Sequence, residues 1–280
     1  MKKTIEKNHA KIKDILNLLM EDIMINKVKY FFAFVTLFSC THLLGDTQRE
    51  QFILATQPKS GTHLMFKLME KIRGSTKTHL FSLNKSEPQF YYPGVIEDSW
   101  ERGEMPWTHL FNPLKLKEIL TTRYKNHKKV VLIRDIRDVY VSYAHYIYKE
   151  PSMTTEEKVD TIMAKHLAFF TMNKNLSIFL KNPNFLVVRF EDLVGPQGGG
   201  SKEKQTNTIF KIANFIGLPI SKETASQYGD ELFGDTGGTF RKGKIGSWRS
   251  EMNMDQKNWM KEHFGKELIE LGYEKNYNWH

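Results

Sequence analysis

Gln51-Phe52-Ile53-Leu54-Ala55-Thr56-Gln57-Pro58-Lys59-Ser60-Gly61-Thr62 is the stretch on which the reading of this chain turns. Phe52 to Ala55 is an apolar run that reads as a strand, and Gln57 to Thr62 follows as a tight basic turn. The next residues, His63-Leu64-Met65-Phe66-Lys67-Leu68-Met69, have the pattern of an amphipathic helix, predicted over Thr62 to Arg73. A strand that feeds a glycine-containing turn at a helix start aims backbone N–H groups and the positive helix end at one spot. Such a spot suits a phosphate or sulfate. Lys59 adds a mobile cation, and Ser60 and Thr62 add hydroxyls. The Walker A spacing Gly-x-x-x-x-Gly-Lys-Ser/Thr is absent. Turns of this composition also join many strands and helices that bind nothing, so the rest of the chain has to decide.

Outward from the turn, short apolar runs alternate with helical patterns. Lys129-Val130-Val131-Leu132-Ile133 is a continuous apolar run of the kind buried in a parallel sheet, and Asn184 to Phe190 is another strand candidate. Helices are expected over Lys115–Arg123, Asp138–Tyr148, Lys158–Phe179 and Thr206–Ile216. Thr108-His109-Leu110 reads as a turn after Pro106-Trp107, and Gly195–Ser201 reads as a flexible loop. The alternation predicts a doubly wound α/β sheet with ligands at the strand C-terminal ends.

Two further basic segments begin near such ends. In Leu132-Ile133-Arg134-Asp135-Ile136-Arg137-Asp138-Val139-Tyr140-Val141-Ser142, a strand ends in Arg134 and the following helix carries Ser142 about two turns in. The Arg134 guanidinium can fork two donors onto a phosphate, and Ser142 offers a hydroxyl toward the same crevice. In Phe240-Arg241-Lys242-Gly243-Lys244-Ile245-Gly246-Ser247-Trp248, two adjacent cations and a glycine let backbone and side chains close over an anion. Taken singly, each segment reads equally as a basic surface turn.

Together, in this order and spacing, Pro58-Lys59-Ser60-Gly61-Thr62, Arg134 with Ser142, and Arg241-Lys242-Gly243 resemble the signatures of the cytosolic-type (aryl/alcohol) sulfotransferases that use 3'-phosphoadenosine 5'-phosphosulfate (PAPS). The resemblance spans about Phe52 to Phe264. It implies a P-loop-like three-layer α/β fold with a central, mostly parallel sheet flanked by helices. By the same resemblance, Lys59, Ser60, Gly61, Thr62, His63, Arg134, Ser142, Phe190, Tyr228, Arg241, Lys242 and Gly243 would hold the donor nucleotide. Thr108-His109-Leu110 matches the family's Thr/Ser-His pair, which makes His109 the expected general base, with Lys59 stabilising the leaving phosphate. No metal is expected in the site.

The chain departs from the family pattern at several points. His63-Leu64 stands where Thr/Asn-Trp is usual, so the aromatic that commonly stacks on adenine is missing. Phe190 replaces a frequent Tyr, Ser247 replaces an Asp, and Trp107 takes the place of a Lys before Thr-His. The dimerisation motif of many members is not evident, which leaves oligomeric state open.

A net charge of +9 favours anionic partners, yet the aromatic-basic interleaving of a nucleic-acid platform is lacking. The single cysteine, Cys40, excludes an internal disulfide framework, and the ten histidines show no metal-ligand spacing. Residues 1–50 form an N-terminal extension to a domain over 51–280. Its Lys-rich start and apolar run at 30–44 read either as a signal or anchor segment or as a helix packed on the domain. The run is short for a membrane span, and location, cytoplasmic or exported, follows from which reading holds. The expected acceptor is a small molecule or glycan with a hydroxyl or amine. The segments expected near its pocket carry Phe90, Tyr91, Tyr92, Trp100, Trp107, Tyr146 and Tyr148, a density that suits a phenolic, lipid or sugar acceptor and equally suits a core. Two rivals remain: a catalytically silent 3',5'-bisphosphate binder, and a P-loop-type small-molecule kinase.

Overall fold

A strand buried on both faces must be apolar at nearly every position, and two such strands form the centre of this protein. The computed structural model describes residues 51–74, 80–82, 95–110, 112–234 and 240–280. The N-terminal extension and Phe90, Tyr91 and Tyr92 lie outside the described residues. Strand β1 (Phe52–Thr56) runs into helix α1 (Thr62–Arg73), followed by the short β2 (Leu80–Ser82) and α2 (Val95–Glu101). Next come β3 (Met105–His109), α3 (Pro113–Thr122), β4 (Lys128–Ile133) and α4 (Ile136–Ile147). After α5 (Thr155–Lys165) and α6 (Leu167–Met172), β5 (Phe185–Arg189) is the last strand described. The remainder is helical: α7 (Phe190–Leu193), α8 (Lys202–Phe215), α9 (Lys222–Leu232), α10 (Trp248–Glu251) and α11 (Met254–Glu270).

Among the described residues the strands make one sheet in the order β2–β3–β1–β4–β5, with every pairing parallel. Side chains along β1 and β4 alternate between two cores. Phe52, Leu54, Val130 and Leu132 pack with Met65, Leu68 and Met69 of α1, and with Ile209 and Ile212 of α8. Ile53, Ala55, Val131 and Ile133 pack on the other face with Val139 and Tyr140 of α4 and with Phe264 and Leu268 of α11. Each fully buried Leu or Met contributes about 1.5–3 kcal/mol, so both helix layers are held by many such increments. Because α1 and α4 leave neighbouring strands toward opposite faces, a crevice opens between them at the strand C-terminal ends. The expected α/β three-layer fold is the one observed.

Three local expectations change. The segment read as a turn around Thr108-His109 is strand β3, in register with β1 (Leu54 opposite Trp107, Ala55 opposite Thr108, Thr56 opposite His109). Pro106 and the polar Thr108 and His109 masked it, since a sheet-central strand normally announces itself by an apolar run. The long helix expected over Lys158–Phe179 is instead α5, α6 and a 3₁₀ turn at Leu176–Phe179. Its start is fixed by a Thr154–Glu157 capping box, and its break by the α11 residue Glu267, whose carboxylate accepts from the Asn175 and Ser177 backbone N–H groups. The glycines of Gly195–Ser201 serve close approach rather than flexibility. A Cβ on Gly198 would lie 2.7 Å from the Gly243 carbonyl oxygen.

Candidate active site

The turn after β1 bends through left-handed backbone at Lys59 (φ 64°) and Gly61 (φ 97°). Gly61 suits this because a Cβ there would be strained and would also lie 2.7 Å from the Phe190 ring. Gly61 caps α1 without a side-chain hydrogen bond, and the first turn carries no acidic residue. Both features leave the positive helix end open to an external anion. Beside it lies a cavity of about 420 Å³ lined from the turn and the first residues of α1, the end of β3, Arg134 just past β4, helices α4 and α6, Phe190, and the Phe240–Lys244 segment.

His109 ends β3 directly opposite Thr56. Its Nδ1 lies 3.0 Å from Thr56 Oγ1 and 3.3 Å from the Thr56 carbonyl oxygen. A carbonyl only accepts, which assigns the proton to Nδ1 and the lone pair to Nε2. Thr62 Oγ1 donates to Thr56 Oγ1 at 3.0 Å, so the helix start and the imidazole share one hydroxyl. The ring packs edge-on against Trp107 at 5.2 Å. Burial pushes the imidazolium down to about 4, with His63 and Lys59 adding repulsion and the Thr56 backbone bond opposing it. The imidazole is therefore neutral across the physiological range.

Lys59 extends over the Tyr146 ring, 4.0 Å from its centroid. Burial, then Arg134 and Arg241, push its ammonium down to about 8. Arg134 is nearly buried, stacked 4.4 Å over Phe190, with Asp138 at 3.5 Å and the Lys244 carbonyl accepting at 2.6 Å. Its Nε is buried without a hydrogen-bond partner. Arg241 and Lys242 are held on the cavity rim by one carboxylate. Glu251 accepts from Arg241 at 2.8 and 3.3 Å and from Lys242 at 3.0 Å. No Asp or Glu is among the cavity-lining residues described.

Of the residues expected at the donor site, Lys59, Gly61, Thr62, His63, Arg134, Ser142, Phe190, Arg241, Lys242 and Gly243 line the cavity, as does His109. Ser60 and Tyr228 do not. Ser60 is fully buried, its hydroxyl turned back to the Leu132 carbonyl at 3.4 Å. Tyr228 lies on the α9 face that packs against α1, its ring 5.8 Å from Lys71. The aromatic at the rim is instead Phe233, just past the end of α9, together with Phe240.

The acceptor-side expectation divides as well. Trp107 and Tyr146 line the cavity, but Trp100 stacks on His127 at 4.7 Å and Tyr148 hydrogen-bonds His166 at 3.1 Å. Phe66, Phe169 and Met172 also line the wall and carried no sequence signal, being ordinary apolar members of helical patterns. Thr56 and Glu251 were likewise missed. Only the parallel register and the fold of the 240–251 segment bring them to His109 and Arg241.

A model of the sulfotransferase domain matches residues 49–272 of this chain. The chain belongs to the sulfotransferase family. Sulfotransferase 6B1 of Danio rerio is 25% identical to it over 262 residues, covering 83% of this chain and 84% of its own. Mouse sulfotransferase SULT7A1, solved in complex with PAP, aligns with 80% of this chain and 86% of its own at 19% identity and a TM-score of 0.54. That likeness is one of fold. In this sulfotransferase His63 and Leu64 lie in the cavity wall where the family pattern has a polar–Trp pair. Burial and the nearby Lys59 push the His63 pKa down, which favours a neutral imidazole there.

Proposed function

We propose that this protein transfers the sulfuryl group of PAPS to a hydroxyl or amine of a small-molecule or glycan acceptor. His109 acts as general base and Lys59 stabilises the leaving phosphate. The observation that carries the reading is the β1–β3 register. It sets Thr56 opposite His109 and so brings a lone-pair nitrogen and the phosphate-facing turn to one cavity.

The residues present fit an adenosine 3',5'-bisphosphate group. The α1 N-terminus lacks an acidic or capping side chain, Arg134 Nε is an orphaned buried donor, and Lys59, Arg134, Arg241 and Lys242 surround the space. When bound, the donor supplies the activated sulfuryl group. Lys59 and the N–H groups of Thr62 and His63 would neutralise charge that grows on the departing phosphate oxygen. His109 Nε2 would take the acceptor proton as the acceptor oxygen bonds to sulfur and the sulfur–oxygen bond to phosphate breaks. Arg134, Ser142, Arg241, Lys242 and Gly243 would hold the 3'-phosphate, selecting this nucleotide over ATP. Phe190, Phe233 and Phe240 offer apolar faces to the base, and Trp107, Phe66, Phe169 and Met172 form the acceptor wall.

The test is transfer of labelled sulfate from PAPS to a panel of phenols, lipid alcohols and glycans. Turnover with any of them, lost in Lys59→Ala and His109→Ala, supports the reading. Tight binding of adenosine 3',5'-bisphosphate with no turnover across the panel favours the silent binder instead.

A further inference from the structure

Gln57 sits in the phosphate-facing turn, is fully buried, and takes no part in the chemistry above. A buried amide must place both its donors and its acceptor or incur the cost of desolvating them. Gln57 connects three parts of the fold in doing so. Its Oε1 accepts from the Arg134 backbone N–H at 2.7 Å, at the end of β4. Its Nε2 donates to Asn173 Oδ1 at 2.6 Å, across 116 residues of sequence. Its own backbone N–H donates to the Leu132 carbonyl at 2.8 Å, and its carbonyl accepts from Ser60 at 3.1 Å.

Asn173, equally buried, follows the last residue of α6. Its Nδ2 donates to the Phe169 carbonyl at 2.7 Å. Phe169 in turn stacks flat on Tyr143, with centroids 3.7 Å apart and planes 6° apart, and both rings line the cavity. One unbroken polar chain thus runs from the backbone of Arg134 through Gln57 and Asn173 to the aromatic wall. An apolar isostere at Gln57 would fill the same volume but leave the Arg134 N–H without its acceptor, and the second amide, Asn173, extends that tie in a fixed direction to α6.

We propose that Gln57 is a positioning residue that couples occupancy of the nucleotide site to the order of the α6 wall on the acceptor side. The proposal rests on the donor reading above. An anion gripped by Arg134 fixes that residue's backbone, and Gln57 passes the constraint to Asn173 and so to α6.

Backbone amide hydrogen exchange over 167–173, with and without saturating adenosine 3',5'-bisphosphate, reads this directly and needs no knowledge of the acceptor. In the wild-type protein the nucleotide slows exchange there about fivefold or more. In Gln57→Met the slowing disappears and nucleotide affinity falls about tenfold, because the Arg134 N–H loses its acceptor. In Asn173→Leu the slowing disappears while nucleotide affinity stays within about twofold of wild type, since the Arg134 half of the chain is intact. Asn173→Leu remains decisive if Gln57→Met fails to fold. A merely structural tie would lower the melting temperature of both variants and leave the nucleotide-induced slowing in place, which overturns the proposal. Wild-type protein that binds nucleotide with no slowing over 167–173 overturns it too. Wild-type protein that binds no nucleotide overturns the donor reading first and this proposal with it.

Discussion

The two sides of the cavity are built by different means. The side proposed for the nucleotide is made of contiguous stretches: Lys59, Gly61 and Thr62 of one turn, Arg134, and Arg241-Lys242-Gly243, each at the end of a strand or in a turn. The side proposed for the acceptor is made of rings gathered from α1, β3, α4 and α6, namely Phe66, Trp107, Tyr143, Tyr146 and Phe169. Binding a phosphate needs backbone N–H groups and cations at fixed local geometry, and short motifs can encode that. Shaping an apolar pocket needs only bulk at the right point in space, and any apolar position in a helix can supply it.

The comparison is tested hardest at the seam, where the proposed mechanism assigns His109 to the acceptor and Lys59 to the leaving phosphate. His109→Ala and Lys59→Ala are each expected to lower turnover about a thousandfold, the scale of losing a general base or a charge stabiliser. Far-ultraviolet circular dichroism and the melting temperature check that the fold persists. Substantial turnover in folded His109→Ala would remove the base from its assigned place.

Away from the seam the two sides should separate. Arg134→Ala is expected to weaken adenosine 3',5'-bisphosphate binding about 30-fold in calorimetry, as charge-assisted hydrogen bonds to one phosphate are lost. Trp107→Ala should leave that affinity within about twofold and instead raise the acceptor KM. A Trp107 variant that loses nucleotide affinity as strongly as Arg134→Ala would dissolve the division.

The seam also sets the pH dependence. As the proposed base His109 must be neutral to accept a proton, and its pKa is pushed down to about 4, so kcat/KM is expected to fall only as pH drops toward that value. In its proposed role Lys59 must be protonated to stabilise the leaving phosphate, and its pKa is pushed down to about 8, so activity is expected to fall as pH rises through that value. Outside each limb kcat/KM should drop about tenfold per pH unit. Bound nucleotide anions favour both charged forms, so both limbs should move upward in kcat relative to kcat/KM. An acid limb of kcat/KM near the ordinary histidine value would contradict the buried environment of His109.

Legibility in the sequence follows the same division. Strands β1 and β4, helix α1 and the three basic segments could be read because each carries its signal within about a dozen residues. Strand β3 could not, although it bears His109: Pro106 and two polar residues hide a strand that only its parallel neighbours stabilise. Thr56, which orients His109, reads as the last residue of a strand, and its partner lies 53 positions away. Glu251 reads as one more surface acid until the fold of the 240–251 segment brings Arg241 and Lys242 to it. The helix expected through Lys158–Phe179 failed for a comparable reason, since Glu267 from α11 caps the break at Asn175. For Thr56 and for the break at Asn175 the deciding partner is remote in sequence, and in all three cases it is ordinary in type.

The smallest expected effect bears on Tyr228, which with Ser60 is where motif and geometry part on the nucleotide side itself. Tyr228 was expected at the donor site, but its ring packs toward Lys71 at the α1–α9 contact, while Phe233 lines the cavity beside Gly243. Phe233→Ala should weaken adenosine 3',5'-bisphosphate binding about fivefold, the scale of losing one aromatic contact to a base. Tyr228→Ala should leave the affinity unchanged and lower only the melting temperature, because its ring serves packing between α1 and α9. Calorimetric titration of both variants in the same buffer decides it. The reverse pattern would mean that α9 turns when nucleotide binds and brings Tyr228 to the site, and the nucleotide side would then be less fixed by its local turns than its short motifs imply.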